Sequence, residues 1–331
     1  MARTPSYPGT ASGGGKILSH DAPTKTSPHT VIDTTVPRRW QPYLLLVLAN
    51  LFWAGNWVIG RALRETFTPI TLNFWRWLLA TLILAPFALP LLKGKWALLR
   101  QHAGLLLLLA ATGGALFQCL VYFGLRSTTT VNGVLLNSSA PLFMLLCSWV
   151  LEREKASGRQ IVGMLVSFAG IALIVGRGDL AALARLDLHP GDAWILLAMA
   201  IWGVYSVLLR RVPVELRGNL FLFTLALLTV MMLVPPLAVE RRFIAAPPLE
   251  GAALLGVGYL GLFASVLAFT CWNRAVATVG ANVAGFSMPL LPAFGTVLAM
   301  IFLGEELHPF HIAGIATILA GVVLATRPRR P

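Results

Sequence analysis

The chain has 331 residues, of which 57% are hydrophobic and 12% charged, with a formal net charge of +13. Its mean hydropathy is +0.76, which excludes a water-soluble enzyme, a disordered protein and a disulfide scaffold, because too little polar surface remains to cover so large a core. The 26 Lys and Arg lie between apolar segments and not in one cluster or on one face, so nucleic acid is not the partner. The three cysteines (Cys119, Cys147, Cys271) each sit inside an apolar run and read as small packing residues.

In chain order, residues 1–39 are rich in Gly, Pro, Ser and Thr, lack a signal-peptide apolar core, and are predicted to be a disordered cytoplasmic tail. Apolar blocks then follow at 42–60, 69–91, 104–124, 130–151, 160–176, 193–209, 218–238, 251–272, 280–303 and 308–326. Most approach the ~20 residues needed to cross a hydrocarbon core. Runs such as Leu105–Leu109 are apolar on every side, which a membrane barrel strand would not be. The prediction is an all-α integral membrane protein with ten transmembrane helices. Placing the amino terminus in the cytoplasm puts Arg38, Arg39, Lys93, Lys95, Arg153, Lys155, Arg210, Arg211 and Arg217 there, with most of the other basic residues. Both termini are therefore expected on the cytoplasmic side.

The two halves repeat. Pro141, Glu154, Gly163 and Gly170 recur with identical spacing as Pro292, Glu305, Gly314 and Gly321, a shift of 151 positions. Trp53 and Arg61 recur as Trp202 and Arg210, a shift of 149. This predicts a first five-helix repeat over 40–176, a periplasmic linker over 177–192, a second repeat over 193–326, and a short cytoplasmic tail, 327–331. Because five is odd, the second copy enters from the opposite side, giving two inverted five-helix repeats. Secondary transporters are built this way, with the solute near the midplane where the copies meet.

The Trp53-Ala-Gly-Asn56 segment, Arg76 in the second span and the paired Pro–Glu–Gly–Gly blocks resemble the EamA family of the drug/metabolite transporter superfamily. The resemblance runs over roughly 42–326. It implies a central cavity lined mainly by helices 1–4 and 6–9, and export of amino acids or related metabolites across the inner membrane. Import, drug efflux and, further off, lipid scrambling are the alternative readings.

The candidate site residues follow from position. Trp53, Asn56 and Trp57 share one helical face, as do Trp202, Tyr205 and Ser206, and aromatic walls with a few polar groups suit a small, partly apolar solute. Gln118 and Tyr122 are one turn apart in the third span. Asn137 precedes Pro141 and Ser287 precedes Pro292, and prolines at matching places in both halves locally open the helices. Arg76, the lone charge well inside a span, either meets a substrate carboxylate, bonds a helix carbonyl, or snorkels.

None of the 13 carboxylates and none of the six His lies at predicted midplane depth, which disfavours proton-driven drug exchange and an intramembrane enzyme. Glu154 and Glu305 read as helix-end charges, and His308 and His311 as interfacial polar residues. No cofactor and no metal is implied. The partners expected are a small-molecule solute and membrane lipid. The small residues Gly163, Ser167, Thr317 and Gly321 suit close helix packing, either within the chain or in a homodimer.

Overall fold

The computed structural model describes residues 40–128, 133, 136–179, 189–248, 250–303 and 308–326. The expected tails at 1–39 and 327–331 lie outside these residues, as do most of the linker and Glu305. Among the described residues the protein is helical, with no strand. The long helices are α1 (Gln41–Ala62) and α2 (Pro69–Ala88); a short α3 (Trp96–Gln101) leads into α4 (Ala103–Ser127). There follow α5 (Ala140–Glu152), α6 (Gly158–Val175), α7 (Pro190–Leu208), α8 (Asn219–Glu240) and α9 (Gly251–Val279). The chain closes with the five-residue α10 (Ala281–Gly285), α11 (Leu290–Leu303) and α12 (Pro309–Thr326).

Seven of these helical segments are long and apolar enough to cross a membrane. The blocks predicted at 130–151 and 280–303 are not continuous helices. The first is interrupted by a turn at 138–139, just before α5, and the second by a turn at 286–289 that separates α10 from α11. The reason is local: Pro141 sits in the first turn of α5, and Pro289 directly precedes α11, where proline is tolerated only at a helix start. Two other helix starts carry side-chain caps. Thr68 accepts the amide of Thr71 at the head of α2, and Ser157 and Gln160 form a reciprocal capping box on α6.

Two departures from α-geometry were not anticipated. α4 runs as a π-helix over Ala110–Leu116, and α9 does the same over Leu260–Leu267. A π-turn moves the backbone bond from i+4 to i+5 and exposes carbonyls to side chains of neighbouring helices. Asn73 donates to the carbonyls of Gly114 (3.0 Å) and Ala115 (3.2 Å), and Thr229 to that of Ala110 (3.4 Å), so α2 and α8 are tied to the first π segment.

The helix pairing is regular. α6 packs on α12 most extensively, and α2 on α8; α1 packs on α9 and α11, and α7 on α4 and α5. The α6–α12 contact is made by the repeated glycines. A Cβ on Gly163 would lie 2.6 Å from the Gly321 carbonyl oxygen, and one on Gly170 would lie 2.7 Å from that of Gly314. Thr317 bonds the Ala313 carbonyl of its own helix, so Gly314 takes the role expected of it. This small-residue face is filled within one chain.

Contacts also define two ends. At one, Tyr43 donates to the Thr326 carbonyl (3.2 Å), Lys95 to that of Glu215 (3.1 Å), and Arg210 to Glu154 (2.7 Å). At the other, Thr68 and Thr71 hold Glu240, Thr128 holds Asp192, and Gly178 meets Phe310.

Candidate functional site

Between the two ends lies a small cavity bounded by Trp53, Asn56, Trp57, Phe117, Gln118, Val121, Asn137, Trp202, Met288 and Leu291. Its walls come from the middles of α1, α4 and α7 and from the two helix interruptions, Asn137 before α5 and Met288 before α11. Its volume, ≈20 Å³, admits about one water molecule and no metabolite. The centre of the molecule is thus narrow.

Six residues singled out from the sequence share this cavity: Trp53, Asn56, Trp57, Gln118, Asn137 and Trp202. Trp202 is the hub of the surrounding aromatic cluster. Its ring centroid lies 4.7 Å from Phe117, 5.0 Å from Tyr205, 5.2 Å from Trp53, 5.4 Å from Trp272 and 5.8 Å from Phe269. Trp272 and Phe269, both on α9, were missed in the sequence. Their only local signal was the strongly one-sided apolar face of that segment, which a helix-packing residue would share. Tyr205 lies one ring behind Trp202 and donates to Asn273 (2.8 Å).

Arg76 stands behind the cavity wall and is only 1% exposed, so it does not snorkel. Its Nε donates to Ser265 Oγ (2.8 Å), Nη1 to Asn56 Oδ1 (3.1 Å) and Tyr122 Oη (3.4 Å), and Nη2 to the Ala264 carbonyl (3.2 Å). The Ala264 carbonyl, in the second π segment, also accepts from the Trp53 indole (3.1 Å). Ser265 and Ala264 could not have been picked from the sequence, because the π register that presents them is a tertiary adjustment. No carboxylate among the described residues forms an ion pair with Arg76. A buried guanidinium satisfied only by neutral acceptors leaves positive potential in a low-dielectric surrounding.

The other candidates lie elsewhere. Ser206 is buried next to the cluster but does not line the cavity. Ser287 accepts from Asn50 (3.0 Å) and donates to the Ala284 carbonyl, tying α1 to the second interruption. Pro141 and Pro292 are buried at helix starts and shape the interruptions without lining the space.

At the end that carries Tyr43 and Thr326, Glu154 gathers three elements. Arg210 at the end of α7 donates to its Oε1, while Ser148 of α5 (3.2 Å) and Asn282 of α10 (3.4 Å) donate to Oε2. Arg210 also reaches Glu152 (3.2 Å). Glu154, expected to be a helix-end charge, lies two residues beyond the end of α5 and clamps the two interrupted helices to α7. Among the described residues there is no group of three metal-ligating side chains.

Comparison with known proteins bears on this arrangement. A profile of the EamA-like transporter family matches residues 40–176 and again 189–327. An "uncharacterized transporter" of Archaeoglobus fulgidus is 28% identical over 291 residues, covering 86% of this chain and 96% of its own. A Streptantibioticus cattleyicolor protein named "probable terminal-alkyne amino-acid exporter" is 29% identical over 287 residues, covering 85% and 92%. A solved crystal structure aligns with a TM-score of 0.66 at 20% identity over 87% of this chain and 97% of that one, a likeness of fold.

Proposed function

Because this chain belongs to the EamA family of the drug/metabolite transporter superfamily, and is thus a multi-pass membrane protein of a transporter family, we propose that it is a secondary transporter. It carries a small metabolite, an amino acid or a close derivative, outward across the inner membrane by alternating access, with both termini in the cytoplasm. The observation that carries the reading is the central cavity where α1, α4 and α7 meet the two helix interruptions, walled by aromatic rings and amides. Interrupted helices at matching places in two halves are where transporters bind solute.

The ten-span inverted arrangement is part of this proposal. It is supported by the helix pairing, which is unchanged when the halves are exchanged: α1 with α9 and α11 answers to α7 with α4 and α5. It is also supported by the contacts at the two ends. The first half starts beside Thr326 and reaches Gly178 at the opposite end, whereas the second starts at Asp192 and returns. Two near-equivalent halves exchange packings at small cost, so states open to either side are close in energy. The domain limits 40–176 and 193–326 belong to the same proposal, as do the roles of the site residues. The name of the Streptantibioticus cattleyicolor relative, "probable terminal-alkyne amino-acid exporter", favours that solute class.

The direct test is counterflow in proteoliposomes against a panel of amino acids and derivatives. Saturable exchange of one class is expected, and its absence across the panel refutes transport. Orientation is tested by single cysteines in a background without the native three. Ser157→Cys is expected to react from the cytoplasm and Glu65→Cys from the opposite side; reaction of both from one side rules out the topology.

The Glu154 clamp holds the cytoplasmic end shut in this reading. Its bond to Arg210 is part-exposed, with side chains 41% and 39% accessible, and such pairs contribute only about 0.2–1 kcal/mol. Glu154→Gln should therefore raise the modification rate of an Asn137→Cys reporter by cytoplasmic thiol reagent about two- to fivefold. An unchanged rate means that the clamp does not gate.

A further inference from the structure

The cavity wall carries a chemical bias. Three buried polar atoms belonging to its lining residues make no well-formed hydrogen bond: Gln118 Nε2, which interacts with the Tyr122 hydroxyl without one, Asn137 Nδ2 and the Trp202 indole Nε1. All three are donors. Asn137 and Trp202 are each 1% exposed and Gln118 5%, so bulk water does not satisfy them. An unmade hydrogen bond at such a site is costly, and that cost is recovered when a solute supplies the partner. The indole N–H can only donate, whichever way the amides are turned.

The charge behind the wall has the same sign. Arg76 shares Asn56 Oδ1 with Tyr122 (3.1 and 3.2 Å), so the one amide oxygen on that side is already taken twice. No Asp or Glu lines the cavity. The walls accept an apolar body through Trp53, Phe117 and Trp202, offer donors to an acceptor group, and offer no counter-charge to a cation.

We propose that the solute is recognised by an anionic carboxylate on an apolar, aromatic-sized body, and that a free ammonium group takes no part in recognition. The donors are Gln118, Asn137 and Trp202, with Arg76 supplying the favourable potential through Asn56. This deepens the transporter reading and rests on the same cavity, which opens to admit the ligand when the interrupted helices separate from α7. Deaminated or N-acylated aromatic acids belong to the accepted class, and the corresponding amines do not.

Three probes with one body test this: 3-phenylpropionate, N-acetylphenylalanine and phenethylamine, titrated against the full-length protein in nanodiscs. Intrinsic tryptophan emission is the readout, since Trp53, Trp57 and Trp202 line the site. Both acids are expected to bind at least tenfold more tightly than the amine. Trp202→Phe, which keeps a ring and removes the N–H, should weaken both acids about tenfold, read by probe-induced thermal shift if emission falls. Asn137→Leu should do the same through a different helix. Equal or tighter binding of the amine, no binding of the acids, or undiminished acid binding in both variants overturns the proposal. Counterflow with the same probes separates it from transport itself. Acid binding without counterflow refutes transport and leaves the recognition standing, whereas counterflow of the amine alone does the reverse.

Discussion

Arg76→Met is expected to abolish most solute flux, by tenfold or more in proteoliposomes, while the purified protein unfolds at nearly the wild-type temperature. Each acceptor of Arg76 has a second partner. Asn56 Oδ1 keeps Tyr122, the Ala264 carbonyl keeps the Trp53 indole, and Ser265 still donates to the Leu260 carbonyl (2.9 Å). The lost hydrogen bonds to a charge, at about 1.5–3 kcal/mol each, are offset by removing a desolvation cost of several kcal/mol for a buried ion without a counter-ion. Met fills similar volume with an unbranched, adaptable chain. What disappears is the positive potential behind the cavity. Arg76→Lys tests the geometry, because one ammonium cannot reach acceptors on α1, α4 and α9 together, and intermediate flux is expected. Full flux in Arg76→Met would assign the residue to packing alone. A collapse of thermal stability in Arg76→Met would show that the acceptors depend on the guanidinium after all.

The second large effect is on folding. Gly321→Leu should prevent recovery of monodisperse protein from detergent. A Cβ there would sit 2.5 Å from the Gly163 carbonyl oxygen, against a rigid helix backbone. No rotamer change relieves a clash with backbone, so α6 and α12 must separate along the closest helix pair in the molecule. Overpacking of this kind costs about 1–3 kcal/mol where side chains can shift, and more where they cannot. Gly258→Leu is the control, because nothing lies within 4 Å of a Cβ at that position, and it should purify normally. Equal recovery of the two variants would show that the α6–α12 contact is not needed for the fold.

Much of the candidate site was legible in one dimension. Trp53, Asn56 and Trp57 are spaced to share a helix face, and the cavity has all three on its wall. Gln118, Asn137 and Trp202 stood out as polar or aromatic groups deep in apolar blocks. The helix interruptions were signalled by Pro141 and Pro292, since a ring nitrogen cannot donate inside a helix. The misses share one cause. Trp272 and Phe269 look like ordinary packing residues, and Ser265 like a small polar gap-filler, until α9 is laid against α1 and α2. Ser206, Ser287 and the two prolines passed the same local test as the lining residues, but helix rotation directs them elsewhere.

By itself the sequence determined that the chain is a helical membrane protein, that it carries a duplicated motif, and that it belongs to a transporter family. Those properties reside in hydropathy and spacing, which each segment carries alone. Only the tertiary structure decided that Arg76 is buried on neutral acceptors 188 and 189 positions away, that the repeated glycines face one another within a single chain, and that the unpartnered polar atoms of the residues lining the central cavity are all donors. These depend on how each helix is rotated and on the π register of α4 and α9. Both are settled by packing against distant segments, about which local periodicity carries no information.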